Sequence, residues 1–176
     1  MPNWCDNSVR LGHPDKSKID ELVKVIEEAD VGIFQSLRPI PVEESENWYD
    51  WNVKNWGTKW DAGLIDSYRD EDNAIHITME TAWAPPLALY EYLVEQGWDV
   101  DAKYLEPGMG FGGTFDNVFG DNYYEYDISD LDSIEALPED VIDFGDLRGQ
   151  YEDHKEYQEE IDEEIFSKLE EKSDEA

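Results

Sequence analysis

The sequence has one cysteine, Cys5, in 176 residues. That excludes an internal disulfide and any Cys-x-x-Cys zinc site, and it fits a reducing compartment. Cations are scarce as well: 13 Lys and Arg stand against 45 Asp and Glu, for a formal net charge of −32. Anionic membranes and nucleic acid backbones should repel such a chain, so direct binding to either is not expected. Long apolar runs are also missing. Nowhere do 18 apolar residues follow one another, and no leader-like stretch opens the chain, so a cytoplasmic protein is expected. His13, His76 and His154 fall in separate segments with no shared ligand spacing, and no His-Glu-x-x-His motif occurs. From these absences no metal, cofactor or catalytic group is expected, and the protein reads as non-enzymatic.

What is present is aromatic. Seven Trp, ten Tyr and six Phe supply enough apolar area for one domain with a real core plus an appendage, despite the charge. Self-repulsion among so many carboxylates destabilises the compact state, so their retention points to a use outside folding.

Periodicity gives the elements. Asn3–Gly12 alternates as a strand, and residues 13–32 read as a helix with Ser17 as N-cap and Asp20 three residues on. Its stripe is Ile19, Leu22, Val23, Ile26 and Ala29. Residues 33–41, stopped by Pro39 and Pro41, predict a second strand. Residues 42–63 predict an irregular Trp-rich insertion. Residues 73–83 alternate again, with Ile75, Ile77, Met79 and Thr81 on one face. Two prolines open and Gly97 closes a helix with Leu89, Tyr90, Leu93 and Val94 inward. Residues 98–108 predict a strand, and the following residues a hairpin turning at Gly120, Asp121 and Asn122. Strand, helix, strand, strand, helix, strand and hairpin make an α+β fold: a ferredoxin-like antiparallel sheet with two helices on one face and an added hairpin. This domain is expected over residues 1–128.

Composition then shifts. Residues 116–176 hold 23 acidic and 4 basic residues. Tyr157, Ile161, Ile165 and Leu169 recur every four, so residues 129–176 are expected to be a mostly helical acidic extension, docked through that stripe on the domain or on a second copy. The spacing predicts one helix over 149–172.

Four segments, "MPNWCDN", "NWGTKW" at 55–60, "TAWAPP" at 81–86 and "YLEPGMGFGG" at 104–113, resemble in order and spacing the YubB-type ferredoxin-like family of small phage- and plasmid-borne proteins. The resemblance covers roughly residues 1–125. It implies the same fold and a mobile-element origin, and it implies no activity. The acidic extension lies outside it.

Two candidate sites follow. In "NWGTKWDAG", Gly57 permits a tight turn, and Lys59 is expected to lay its stem across Trp56 or Trp60, its ammonium meeting Glu106 or a ring face. With Thr58, Thr81 and Trp83 these residues would form an aromatic cleft for a small ligand or peptide. The alternative is a structural corner, favoured because tryptophans commonly anchor cores and no acid–base partner stands beside the lysine. Cys5 without a neighbouring base is expected to be buried and inert. The Asp- and Asn-rich stretch after Asp116 fails the EF-hand register, and "GMGFGG" lacks the context of a phosphate loop.

The second site is the outer face of the acidic helix: Glu156, Glu159, Glu160, Glu163, Glu164 and Glu170. A rigid carboxylate array can fill a Lys/Arg-lined channel that otherwise holds DNA. The expected function is therefore nucleic-acid mimicry by a monomer or homodimer in a host cytoplasm, directed at a basic DNA-handling host protein such as a defence nuclease. The alternative is a non-catalytic ligand or peptide module built on the Trp/Lys59/Glu106 cleft.

Overall fold

The structure is a computed structural model that describes residues 3–28 and 30–174, with the side chains of the last helix described as far as Lys168. Ala29 and the side chains of Leu169 and Glu170 lie outside the described residues. The chain divides into two compact units, Met1–Tyr124 and Glu125–Ala176.

The first unit is a six-stranded sheet with helices. Its strands are β1 (Trp4–Gly12), β2 (Gly63–Arg69), β3 (Ile75–Ala82), β4 (Asp99–Glu106), β5 (Phe111–Asp116) and β6 (Gly120–Glu125), the last running one residue past the unit's boundary. The sheet order is β2-β3-β1-β4-β5-β6, and the β2–β3, β3–β1, β1–β4 and β4–β5 pairs are antiparallel. Its helices are α1 (Lys16–Glu28), α2 (Ile33–Leu37), α3 (Trp48–Asn55) and α4 (Leu87–Glu95). The order β2-β3-β1-β4, with α1 and α4 in the two crossovers, is the ferredoxin-like arrangement expected from the sequence.

Alternation explains the layering. Cys5, Asn7, Val9 and Leu11 of β1 are buried, as are Ile75, Ile77, Met79 and Thr81 of β3. Ile19 and Leu22 of α1 join Leu89, Tyr90 and Leu93 of α4 in one core with Val9, Ile77 and Val100, so both crossover helices cover the same sheet face. Each such side chain stabilises the fold by roughly 1.5–3 kcal/mol.

Four local expectations are corrected. Residues 33–37 are α2, not a strand: Ile33 and Phe34 bury together, and the Asp61 carboxylate accepts the backbone N–H groups of Phe34 and Gln35 at 2.8 Å each. The second strand is β2 instead, an edge strand exposed along nearly its whole length. The Trp-rich insertion is ordered, as a 3-10 segment over Val42–Asn47 followed by α3. At the start of α1 the Asp15 carboxylate accepts the Ser17 N–H at 3.0 Å, so Asp15 caps and Ser17 lies inside the helix. The β5–β6 hairpin turns at Asn117–Phe119, where Asp116 accepts the N–H groups of Val118 and Phe119, and Gly120, with φ +68°, opens β6.

The second unit holds α5 (Leu131–Glu135), α6 (Glu139–Gly145) and α7 (Leu147–Asp174). Tyr126, Ile134, Leu137, Val141, Ile142 and Leu147 are its buried apolar side chains among the described residues. Arg148, at the start of α7, donates to both Glu135 oxygens at 2.7 and 2.8 Å and to both Glu139 oxygens at 2.7 and 2.9 Å. The planar guanidinium fork thereby ties α7 to the end of α5 and the start of α6, and it holds both carboxyls below their ordinary range. Beyond this first stretch α7 is largely open. Tyr157, Ile165 and Phe166 are 60%, 52% and 62% exposed, and Ile161 is half-buried.

Candidate functional site: an aromatic groove and an acidic helix

The "NWGTKW" stretch forms a bracket at the end of the sheet. Trp56 is buried, its Nε1–H donating to the Arg38 carbonyl at 2.9 Å and its ring meeting Phe34 and Trp51 edge-on. Gly57 adopts φ +92°, and a Cβ there would stand 3.0 Å from the Leu87 nitrogen and 3.2 Å from that of Ala88. Only glycine passes the start of α4 so closely. The Trp56 carbonyl accepts the Leu89 N–H, and the buried Thr58 hydroxyl donates to the Ala82 carbonyl at 2.8 Å, which ties the bracket to α4 and the end of β3.

Thr81 and Glu106 are buried beside it with structural duties. The Thr81 hydroxyl donates to the Ala84 carbonyl at 2.7 Å and accepts from Asn7 Nδ2 at 2.9 Å. The Glu106 carboxylate accepts the N–H groups of Gly108 at 3.0 Å and Met109 at 2.6 Å, closing the β4–β5 turn. Glu106 is therefore not a wall of the expected cleft, and the Lys59 ammonium goes to ring faces: 4.5 Å from the Trp60 centroid and 5.6 Å from that of Tyr49. A carboxylate at a tight turn is drawn to the nearest unpaired backbone N–H groups, and here they belong to its own strand end.

Cys5 is fully buried, and desolvation, then the Asp6 and Glu106 charges, push its thiol well up, so it stays protonated and non-nucleophilic.

Trp56, Thr81 and Glu106 thus belong to the scaffold, Thr58 both ties the bracket and lines the groove beside it, and Lys59, Trp60 and Trp83 face outward. Trp83 is 53% exposed although its backbone has φ +73°, a conformation costly for a bulky residue, and its N–H donates to the Asn3 carbonyl. Tyr49, Val53, Thr58, Lys59 and Trp83, with Gly57, Ala82 and Ala84 beside them, line an open groove of about 420 Å³. Trp4 and Trp60 extend the aromatic surface, their centroids 6.2 Å apart. Tyr49 and Val53 were not foreseen; they stand one helical turn apart on α3, in the segment read as irregular.

On α7, Glu156, Glu159, Glu160, Glu163 and Glu164 are all exposed, and the first four line one shallow trough. Glu164 pairs with Lys168, one turn on. Glu170 lies outside the described side chains. Among the described residues no three of His, Cys, Asp and Glu are gathered so as to hold a metal ion, and no helix is long and apolar enough to cross a membrane.

No family model matches the chain, and no curated protein does. Among solved structures it is distantly similar to the protein api92 from Yersinia pseudotuberculosis, of the family DUF1281, at 22% identity with a TM-score of 0.36. The match covers 46% of this chain and 30% of that one.

Proposed function

We propose that this protein is an acidic binding protein that imitates nucleic acid, with α7 as the imitating element. The supporting observation is linear charge density. From Glu152 to Glu164, thirteen residues carry eight acidic side chains, all exposed, and one lysine. At 1.5 Å per residue that run is about 18 Å long, one net negative charge per roughly 2.6 Å. A single nucleic acid strand carries one per about 3.4 Å, and duplex DNA one per about 1.7 Å. The helix falls between them. A protein that holds DNA by Lys and Arg meets on α7 a comparable charge density on a rigid rod, and occupancy of the channel excludes DNA. The resemblance to phage- and plasmid-borne proteins favours a defence nuclease of the host as that partner.

The test is capture of a basic, DNA-handling protein from host lysate, followed by competition with duplex DNA. DNA displaces the protein, affinity falls steeply as salt rises, and association is fast because complementary fields steer the encounter. Replacing Glu156, Glu159, Glu160 and Glu163 together by Gln weakens binding by roughly 1 kcal/mol or more while the fold is kept. Partners that are neither basic nor DNA-binding, or binding indifferent to salt and DNA, overturn the reading.

A further inference from the structure

A groove in the first unit, independent of the acidic helix, offers a different chemistry. Three observations meet there. First, the groove at Tyr49, Val53, Lys59 and Trp83 has a volume of about 420 Å³, within the range of small-molecule sites. Second, the two lining rings, Tyr49 and Trp83, are 48% and 53% exposed, and the left-handed backbone at Trp83 costs free energy without burying its ring. Third, Lys59 is half-buried and has no carboxylate within ion-pair distance among the described residues, in a chain with 45 acidic side chains against 13 basic ones. Arg10, Arg69 and Arg148 each pair with at least one carboxylate, and Arg38, half-buried without an ion pair like Lys59, donates instead to the carbonyls of Asn55 and Ala88. The Lys59 ammonium instead sits over the Trp60 and Tyr49 rings at the groove wall. Its backbone is fixed there, since Asn52 Nδ2 donates to the Lys59 carbonyl at 2.9 Å.

We propose that this groove binds a small aromatic monoanion, its ring against Trp83 and Tyr49 and its carboxylate on the Lys59 ammonium. Volume sets the size class, the exposed rings select a flat apolar body, and the lysine supplies the complementary charge. A cation is disfavoured, because the position over Trp60 is already filled by Lys59. A neutral aromatic gains the rings but not the ion pair. The negative field of the whole chain disfavours polyanions, which restricts the site to ligands of one charge.

The probe pair is 2-naphthoate and 2-naphthamide, equal in shape and different in charge, titrated into the full chain while the Trp indole N–H resonances are followed. Naphthoate shifts the Trp83 and Trp60 signals and binds about five- to tenfold more tightly than naphthamide. Lys59→Met lowers naphthoate to the level of the amide and leaves the amide unchanged. Trp83→Gly relieves the backbone strain, keeps Lys59, and weakens both probes. Equal affinity of the two probes for the unaltered protein, shifts confined to other tryptophans, or no shift at millimolar probe overturns the proposal. The comparison on the unaltered protein does not depend on any variant folding, nor on whether α7 imitates nucleic acid.

Discussion

The two units handle charge differently. Residues 1–124 hold 24 acidic and 9 basic side chains, and residues 125–176 hold 21 acidic and only 4 basic. In the first unit several carboxylates are put to structural use. Asp61 caps α2, Glu106 closes a turn, and Asp70 accepts from Arg10, His76 and the Ala74 N–H. These sit on a broad apolar core shared by sheet and helices. The second unit buries a short set of apolar residues at one end and then extends a long helix whose acidic side chains face water. Its main organised ion pairs are the fork of Arg148. Carboxylates act as caps in both units, Asp130 at the start of α5 among them, but along α7 they remain as surface field, and surface field is what a partner meets.

The most disruptive way to sharpen this contrast is Leu147→Ala, which truncates a fully buried side chain at the root of α7. The loss should be about 2–5 kcal/mol. Amide exchange should show residues 131–174 losing protection while Ile75–Ala82 keep theirs. Loss spreading to β3 with the same free energy would mean that the two units unfold as one.

In the first unit, Gly57→Ala combines a left-handed φ with close backbone neighbours and should cost about 1–3 kcal/mol in thermal unfolding. An unchanged midpoint would show that the bracket can move away from α4.

Asp6 lies directly across from Glu80 in the β1–β3 register. Desolvation, then the Glu80 charge, raise its carboxyl above the ordinary 3.8. A carboxyl raised in the folded state binds its proton more tightly there than in the unfolded chain. Its contribution is therefore destabilising at neutral pH, and stability is gained as pH falls through the raised value towards 3.8. Asp6→Asn should stabilise the protein at neutral pH by up to about 1 kcal/mol and remove that gain on acidification. A slope of stability with pH that is the same in the variant would refute the assignment to Asp6.

The smallest effect belongs to α7. Glu160 faces Glu156 and Glu164 at one-turn spacing, so Glu160→Gln should raise local helix stability by about 0.5 kcal/mol, read as slower exchange of the α7 amides. Faster exchange would indicate that Glu160 has a partner that the repulsion argument overlooks.

Much of the fold was legible because burial on one side leaves a period. β1, β3 and β4 alternate, and α1 and α4 carry stripes; the every-four apolar residues of α7 marked a helix although Tyr157 and Ile165 stay exposed. Where that signal is missing, reading failed. β2 is exposed at nearly every position, so no alternation marks it. Residues 33–37 are short, with Ile33, Phe34 and Leu37 apolar around Gln35 and Ser36, a pattern strand and helix share; α2 is chosen by Asp61, 27 residues away from Phe34. α3 hid within a run of tryptophans that point in several directions, some buried and some not.

By itself the sequence determined the α+β class, the placement of β1, α1, β3, α4 and β4, the burial of its lone cysteine and the acidity of its C-terminal helix, but not which segment supplies the second strand. These depend on composition and near-neighbour spacing, which every conformation of the chain retains. Tertiary structure alone decided which of the "NWGTKW", "TAW" and "YLEPG" residues are scaffold and which face outward. Thr81 and Glu106 satisfy backbone groups at the ends of β3 and β4, Thr58 does so while also lining the groove, and Lys59 and Trp83 are left at that groove. A polar side chain takes the donor or acceptor that the fold brings nearest, and that choice is made between residues far apart in the chain.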